Sequence, residues 1–279
     1  MNARPPASDG ADYKEVRGLT RGLAVLQALN QQPGGRAPIG VLAAACGLHR
    51  TTIKRLLETL RAERLVDQDA ASSQYALTFE VRRLAEGYGS ADWIDRIALP
   101  AMIEALPALL WPSDIATPEA GWMVVRESTH RRSRLSQHRA MIGTRLPMPL
   151  TATGRAYLAW CADEEREATL ALIAARPDES GALARDRRAM RRLLTATRQR
   201  GYAINEGEWA PQADFCAIAL PVRGAGQIIA AVNLVFPRDA VKRSEIERRF
   251  VPRLAELAHT VGARYDVGGG VSVDRQGIA

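Results

Sequence analysis

Cysteine is scarce: Cys46, Cys161 and Cys216 are the three in 279 residues. They lie far apart among apolar or small residues, with no CxxC pair and no Cys/His ligand spacing, so reduced structural thiols are expected and a zinc site is not. No apolar run approaches the roughly 18–20 residues that cross a bilayer. The opening MNARPPASDGADYKEVRG lacks the apolar stretch of a signal peptide. A cytoplasmic chain with no membrane partner is the expectation. The signatures GxSxG, HExxH and the P-loop are missing as well. Cys161 or Cys216 with His138, or Glu206 with Glu208, make accidental pairs without a supporting motif, so neither an enzyme nor a cofactor is expected. There is no internal repeat.

What is present describes a folded protein with an anionic partner. Apolar residues make up 47% and charged residues 25%, ordinary for a globular chain. The length suits two domains of unequal size. The net charge of +7 is concentrated: between Arg17 and Val66 eight cationic residues face two acidic ones.

The first sixteen residues, with Pro5, Pro6 and Gly10, read as a mobile arm. GLTRGLAVLQALN places Leu19, Leu23, Leu26 and Leu29 on one helical stripe. IGVLAAACGL reads as a second helix stopped by Gly47. In a third, Leu56, Leu57 and Leu60 fall within about 60° of Ile53, which leaves Thr51, Arg55 and Glu58 outside, flanked by Thr52 and Lys54. RLVDQDAASSQYALT then predicts a hairpin. The whole is a winged helix-turn-helix over 17–80, followed by a helical linker over 81–110. Beyond it, GWMVVRES, RLSQHRA, GYAINE, DFCAIALPV and IIAAVNLVF read as strands, with helical stretches between and after them. They predict an α+β domain with an antiparallel sheet over 111–266, and a Gly-rich tail over 267–279.

A helix in the major groove needs short polar and cationic side chains near its N-terminus. Arg55 suits a guanine, Thr51 and Thr52 a thymine methyl or a phosphate, and Lys54 a phosphate. Arg21, His49, Arg50, Gln74 and Tyr75 are further candidates for DNA contact. One basic helix alone is more often a solvated face; the short turn before it, the wing after it and the concentrated charge favour double-stranded DNA.

RGLTRGLAVLQALN, GLHRTTIKRLLETL, RLPMPLTATGRAYLAW and FCAIALPVRGAGQIIAAVNLVF together resemble the IclR family of bacterial transcriptional regulators over residues 17–265. Within it, LHRTTIKRLLETL, SRLSQHRAMIG and WPSD are most similar to the regulators of hydroxyphenylpropionate degradation. His49 departs from the helix-capping Ser of many members.

The resemblance implies a GAF-like second domain that binds a small carboxylate. In TATGRAYLAW, Thr151 or Thr153 is placed to cap a helix, with the amides of Thr153, Gly154 and Arg155 facing the ligand; an ordinary capped helix is the alternative. By the same match Glu206, Cys216 and Asn233 fall at pocket positions, where many relatives carry Asp for the first and Ser for the last. Met148, Leu150, Trp122 and Ile218 are candidates for an apolar wall. The arginine-rich RESTHRRSRLSQHRAMIGTR reads mostly as an exposed hairpin, in which Arg134 and His138 share one strand face as the pair for ligand contact. A homodimer or dimer of dimers on a palindromic operator is implied, with RNA polymerase a further candidate partner and activation of a catabolic operon the favoured sign. The competing reading is a winged-helix module without an effector.

Overall fold

The computed structural model describes residues 15–69, 71–84, 93–136 and 141–268. The chain divides into two compact units, 1–89 and 90–279.

The first unit has the expected helix-turn-helix. Helices α1 (Arg17–Asn30), α2 (Ile39–Cys46) and α3 (Arg50–Ala62) surround a core of Val25, Leu29, Leu42, Ile53, Leu57 and Leu60. Each such side chain contributes about 1.5–3 kcal/mol on burial. Gly47 ends α2 in the left-handed region at φ 63°, where a side chain would be strained, and so lets the chain turn at once into α3. β2 (Val66–Gln68) and β3 (Tyr75–Leu77) form the predicted hairpin, and the short α4 (Glu80–Arg83) follows it. β1 (Arg36–Ala37) pairs with β3 as an unanticipated third strand, hidden in a Pro/Gly-rich connection. The stripe on α1 is also rotated from its expected position: Val25, Ala28 and Leu29 are buried, while Leu19 is 63% and Leu23 50% exposed.

The second unit is built on a six-stranded antiparallel sheet in the order β6-β5-β4-β9-β8-β7. Its strands are β4 (Asp114–Glu119), β5 (Trp122–Ser128), β6 (Arg145–Pro147), β7 (Ala203–Asn205), β8 (Phe215–Gly224) and β9 (Gln227–Pro237). Alternation along β8 and β9 sends Ile218, Leu220, Val232, Leu234 and Phe236 to one face. There they meet residues 94–109, which end in α5 (Leu99–Leu109), and 243–267; each helical run passes through a π turn, Ile94–Ala98 and Ile246–Phe250. Both turns lie two residues before a proline, Pro100 and Pro252, which lacks the N–H that would continue the ladder. Residues 93–109, expected to be linker, thus belong to the core of this unit, because Ile94, Ala98, Met102 and Leu109 are buried in it.

The other face carries mainly alanines, Ala116, Ala203, Ala219 and Ala231. Their small size lets α6 (Ala152–Trp160) pack close to the sheet. Behind α6 come α7 (Asp163–Ala174), α8 (Glu179–Arg185) and α9 (Arg187–Arg200). α8 and β4 were not foreseen; Pro112 and Pro118 broke the strand pattern around β4. RLSQHRA was expected to be a strand, but 134–136 form none, and 137–140, with His138, lie outside the described residues.

Candidate nucleic-acid interface and effector site

α3 begins at a cap that its sequence made doubtful. His49 stands in extended backbone, and its Nδ1 accepts a hydrogen bond from the Thr51 amide at 3.4 Å and lies 2.9 Å from Thr51 Oγ1. The imidazole therefore does the work of a capping hydroxyl, satisfying an amide that the helix leaves without a partner. Ile53, Leu57 and Leu60 fix the inner face of the helix. Its outer face presents Thr51, Lys54 and Arg55 exposed and Thr52 half-buried.

Arg21 comes from α1 to the same place. It lines with Thr51, Thr52, Lys54 and Arg55 a shallow cleft of about 630 Å³. Among the described residues none of Arg21, Lys54 and Arg55 has an ion-pair partner, whereas Arg61, one turn further on, is held by Glu58 at 3.0 Å. Cations left free on one face can meet phosphate or base edges without first breaking an internal pair.

The remaining candidates separate. Arg50 lies over α2, its guanidinium 3.2 Å from where a Cβ on Gly40 would stand. Gln74 is half-buried next to the hairpin turn, where Asp69 accepts from the Ala71 amide and the Ser72 hydroxyl; these bonds hold the Asp69 carboxyl below its ordinary range. Tyr75 does not face outward. It is buried in the core, and its hydroxyl donates to Glu58 at 3.3 Å. Alternation along β3 sends position 75 inward, which removes it from the DNA-contact set.

In the second unit Thr151 caps α6, its Oγ1 accepting from the Gly154 amide at 3.4 Å and donating to the Pro147 carbonyl at 2.9 Å; Thr153 Oγ1 lies 3.5 Å from it. The Gly154 amide is therefore already used. A Cβ at Gly154 would stand 2.1 Å from Met148 Cα. The absent side chain serves a contact between backbones, with Met148 itself buried in the core. Arg155 is buried too: its Nε donates to the Pro149 carbonyl at 2.9 Å, and its Nη1 to the Ile204 carbonyl at 2.6 Å and to Glu208 at 2.8 Å. Burial pushes the Glu208 carboxyl up, but the charge and hydrogen bond of Arg155 outweigh it and leave the group below its ordinary value. This arginine ties α6 to β7.

Asn233 lies on the α6 face of the sheet, and Glu206 and Cys216 do not join it there. Cys216 belongs to the opposite face with Ile218 and Phe236, as does Ile218, which was a candidate for the pocket wall. Glu206 is exposed and bound to Arg243 at 3.0 Å. The α6-facing positions are one residue away, at Asn205 and Ala217; Asn205 donates to the Leu150 carbonyl. Trp122 is stacked under Arg176, with the guanidinium carbon 3.9 Å from the ring centre. Arg134 is exposed outside any strand, and His138, its expected companion, lies outside the described residues. Of the same arginine-rich stretch, Arg126 and Arg145 both pair with Glu119, at 2.7 and 3.1 Å.

One cluster was missed. Asp114 and His130 are both buried, with His130 Nε2 3.6 Å from Asp114 Oδ1. Asn233 joins them, its Oδ1 accepting from the Asp114 amide at 2.7 Å and its Nδ2 donating to Asp114 Oδ2 at 3.1 Å. Ser113 and Thr129 beside them are also buried and bond to each other. Desolvation raises the Asp114 carboxyl, but the hydrogen bond and charge of His130, with help from Ser128 and Asn233, bring it below the ordinary carboxylate range. Nothing in the sequence marked this cluster, since Asp114 opens a strand that was not foreseen.

Catalytic readings find no support in the thiols: burial pushes Cys161 up to about 11 and Cys216 up to about 12, so neither forms a thiolate near neutrality.

Two family models cover most of the described chain: the IclR helix-turn-helix domain over residues 18–70 and the bacterial transcriptional regulator IclR C-terminal domain over residues 119–263. The chain belongs to the IclR family. It is a DNA-binding transcriptional regulator, with a helix-turn-helix domain and an effector-binding C-terminal domain, and not an enzyme. Among IclR relatives, the glycerol operon regulatory protein of Streptomyces coelicolor is 28% identical over 279 residues, covering 92% of this chain and 98% of its own. The p-hydroxybenzoate hydroxylase transcriptional activator of Acinetobacter baylyi is 27% identical over 262 residues, covering 89% and 90%. A putative transcriptional regulator from Rhodococcus superposes with a TM-score of 0.61 at 26% identity, covering 89% of this chain and 98% of its own. Similarity to the hydroxyphenylpropionate regulators in particular receives no separate support. Among the described residues no helix is long and apolar enough to cross a membrane.

Proposed function

We propose that this IclR regulator binds a palindromic operator as a homodimer through Arg21, Thr51, Thr52, Lys54 and Arg55, under the control of a small aromatic carboxylate. The observation that carries the reading is the cleft where exposed cations from α1 and α3 converge without ion-pair partners among the described residues. A symmetric dimer presents two copies of α3 to two half-sites. The outward Leu19 and Leu23, with Val16 at 68% exposure, supply an apolar surface for that pairing.

The effector site is assigned to the α6 face of the sheet, where Thr151 and Thr153 stand near the start of α6 and Asn233 is held by Asp114. Buried polar groups are costly in a core, and a cluster of five of them in this unit marks a position where polarity is useful. The aromatic class rests on the relative named for p-hydroxybenzoate hydroxylase, which also favours activation. To act, the effector must bind two arrangements of the protein with different affinity.

The test is operator binding by fluorescence anisotropy with and without candidate acids. Arg55→Ala is expected to weaken binding by about 5- to 150-fold, the equivalent of ~1–3 kcal/mol for a lost base contact. Unchanged binding overturns the assignment of α3. A panel of aromatic and aliphatic acids is expected to raise the melting temperature only for the aromatic members; no shift from any acid removes the effector reading, and a shift from aliphatic acids alone replaces its class.

A further inference from the structure

Thr51 is bonded in a way that decides which side of its hydroxyl a ligand can use. It stands exposed in the cleft with Arg21, Lys54 and Arg55. A threonine within a helix commonly gives its hydroxyl hydrogen to the carbonyl four residues back, as Thr59 does to Arg55 at 3.1 Å. Thr51 is only the second residue of α3, and Gly47, four residues before it, stands in the left-handed turn at φ 63°. Among the described residues its hydroxyl bonds to His49 Nδ1, at 2.9 Å, and to no carbonyl.

The direction of that bond follows from the amide beside it. An N–H can only donate, and the Thr51 amide donates to the same Nδ1 at 3.4 Å. Nδ1 is therefore an acceptor, and the proton of the neutral ring sits on Nε2. With no hydrogen on Nδ1, the 2.9 Å bond requires the Thr51 hydroxyl to donate. Shared bonds of this kind are common at helix ends. The hydroxyl hydrogen is spent inside the protein, and Oγ1 offers the cleft lone pairs alone.

We infer that His49 is a positioning residue for base recognition: it holds Thr51 as an acceptor, so that Thr51 reads an exocyclic amino group, N4 of cytosine or N6 of adenine. Those amino groups are the hydrogen-bond donors of the major groove, whereas N7, O6 and O4 only accept. Phosphate oxygens only accept as well, which closes the backbone hydrogen bond to this hydroxyl. The inference rests on the placement of α3 in the major groove and adds the class of base group that Thr51 meets.

The test uses the full-length protein and an operator selected from a random duplex library, with anisotropy titrations at each half-site position. At the position whose base preference Thr51→Val flattens, the amino group is removed, with purine in place of adenine or 2-pyrimidinone in place of cytosine. Parent binding is expected to weaken by about 3- to 10-fold, the size of one hydrogen bond, and Thr51→Val binding to stay as it was. His49→Ala is expected to lose the same discrimination although Thr51 is intact, so the two substitutions are non-additive. Nitrogen-15 NMR of the free protein is expected to show His49 as the Nε2–H tautomer, its signal assigned by its loss in His49→Ser. An Nδ1–H tautomer overturns the inference. So does a loss of binding on removing an acceptor, as with 7-deazaguanine, in place of the amino group. Full discrimination in His49→Ala reduces His49 to a cap and overturns it too. If Arg55→Ala weakens binding and Thr51→Val flattens no position, this inference alone falls; if neither variant changes binding, the placement of α3 falls with it.

Discussion

The two units handle charge in opposite ways. In the first, Arg21, Lys54 and Arg55 stand exposed around one cleft with no ion-pair partner among the described residues. In the second, Arg155, Asp114 and Asn233 are buried, and each is tied to groups from distant parts of the chain. A cation without an internal partner costs its own fold almost nothing to remove and is available to a ligand. A buried, bonded one holds elements together, and removing it leaves acceptors stranded. The difference separates recognition from scaffold better than residue type does, since Arg55 and Arg155 are the same amino acid.

The largest expected effect is on the scaffold. Arg155→Met leaves the Pro149 and Ile204 carbonyls and Glu208 without their donor and is expected to cost ~3–5 kcal/mol in urea denaturation, with operator affinity unchanged wherever the protein stays folded. A cost below ~1 kcal/mol would break the contrast between the units. Arg55→Ala should behave in the reverse way, losing ~1–3 kcal/mol of operator affinity while its unfolding free energy stays within ~0.5 kcal/mol of the parent.

Acid sharpens the comparison. Asp114 and Glu208 lie below their ordinary values of 3.8 and 4.5, so their stabilisation is fully present above those values and is lost as pH falls through the lower folded ones. Unfolding free energy should therefore drop below about pH 4.5, and drop less steeply in Asp114→Asn, as followed by denaturation at successive pH values. The smallest effect belongs to the cap: His49→Ala is expected to cost ~0.5–1 kcal/mol of stability, and His49→Ser to restore it.

Much of the fold was legible because its elements differ in period. α3 announced itself through Ile53, Leu57 and Leu60, and β9 through a run rich in β-branched and apolar residues. The pocket was less legible because its sheet is covered on both faces. Along β7 and β8 apolar residues occur at consecutive positions, so nothing in the pattern says which parity points to α6, and a one-residue error moves a side chain across the sheet. Glu206 and Cys216 stand away from the α6 face for that reason, whereas the neighbouring Asn205 and Ala217 are turned toward it. Tyr75 failed on the same count, its aromatic ring serving the core beside Leu57 instead of the wing surface. Asp114 and His130 meet only through the pairing of β4 with β5, and Asn233 reaches them across 119 residues of chain. No local spacing encodes such a contact.

The backbone contact at Gly154 limits how the second unit can move. Because α6 rests directly on Met148 with no side chain between them, the helix cannot rotate about its own axis or slide along the 148–150 turn without collision. Helix and turn are packed backbone to backbone, so a shift at the start of α6 presses first on the 148–150 turn that follows β6, and a side chain at position 154 would force the two apart.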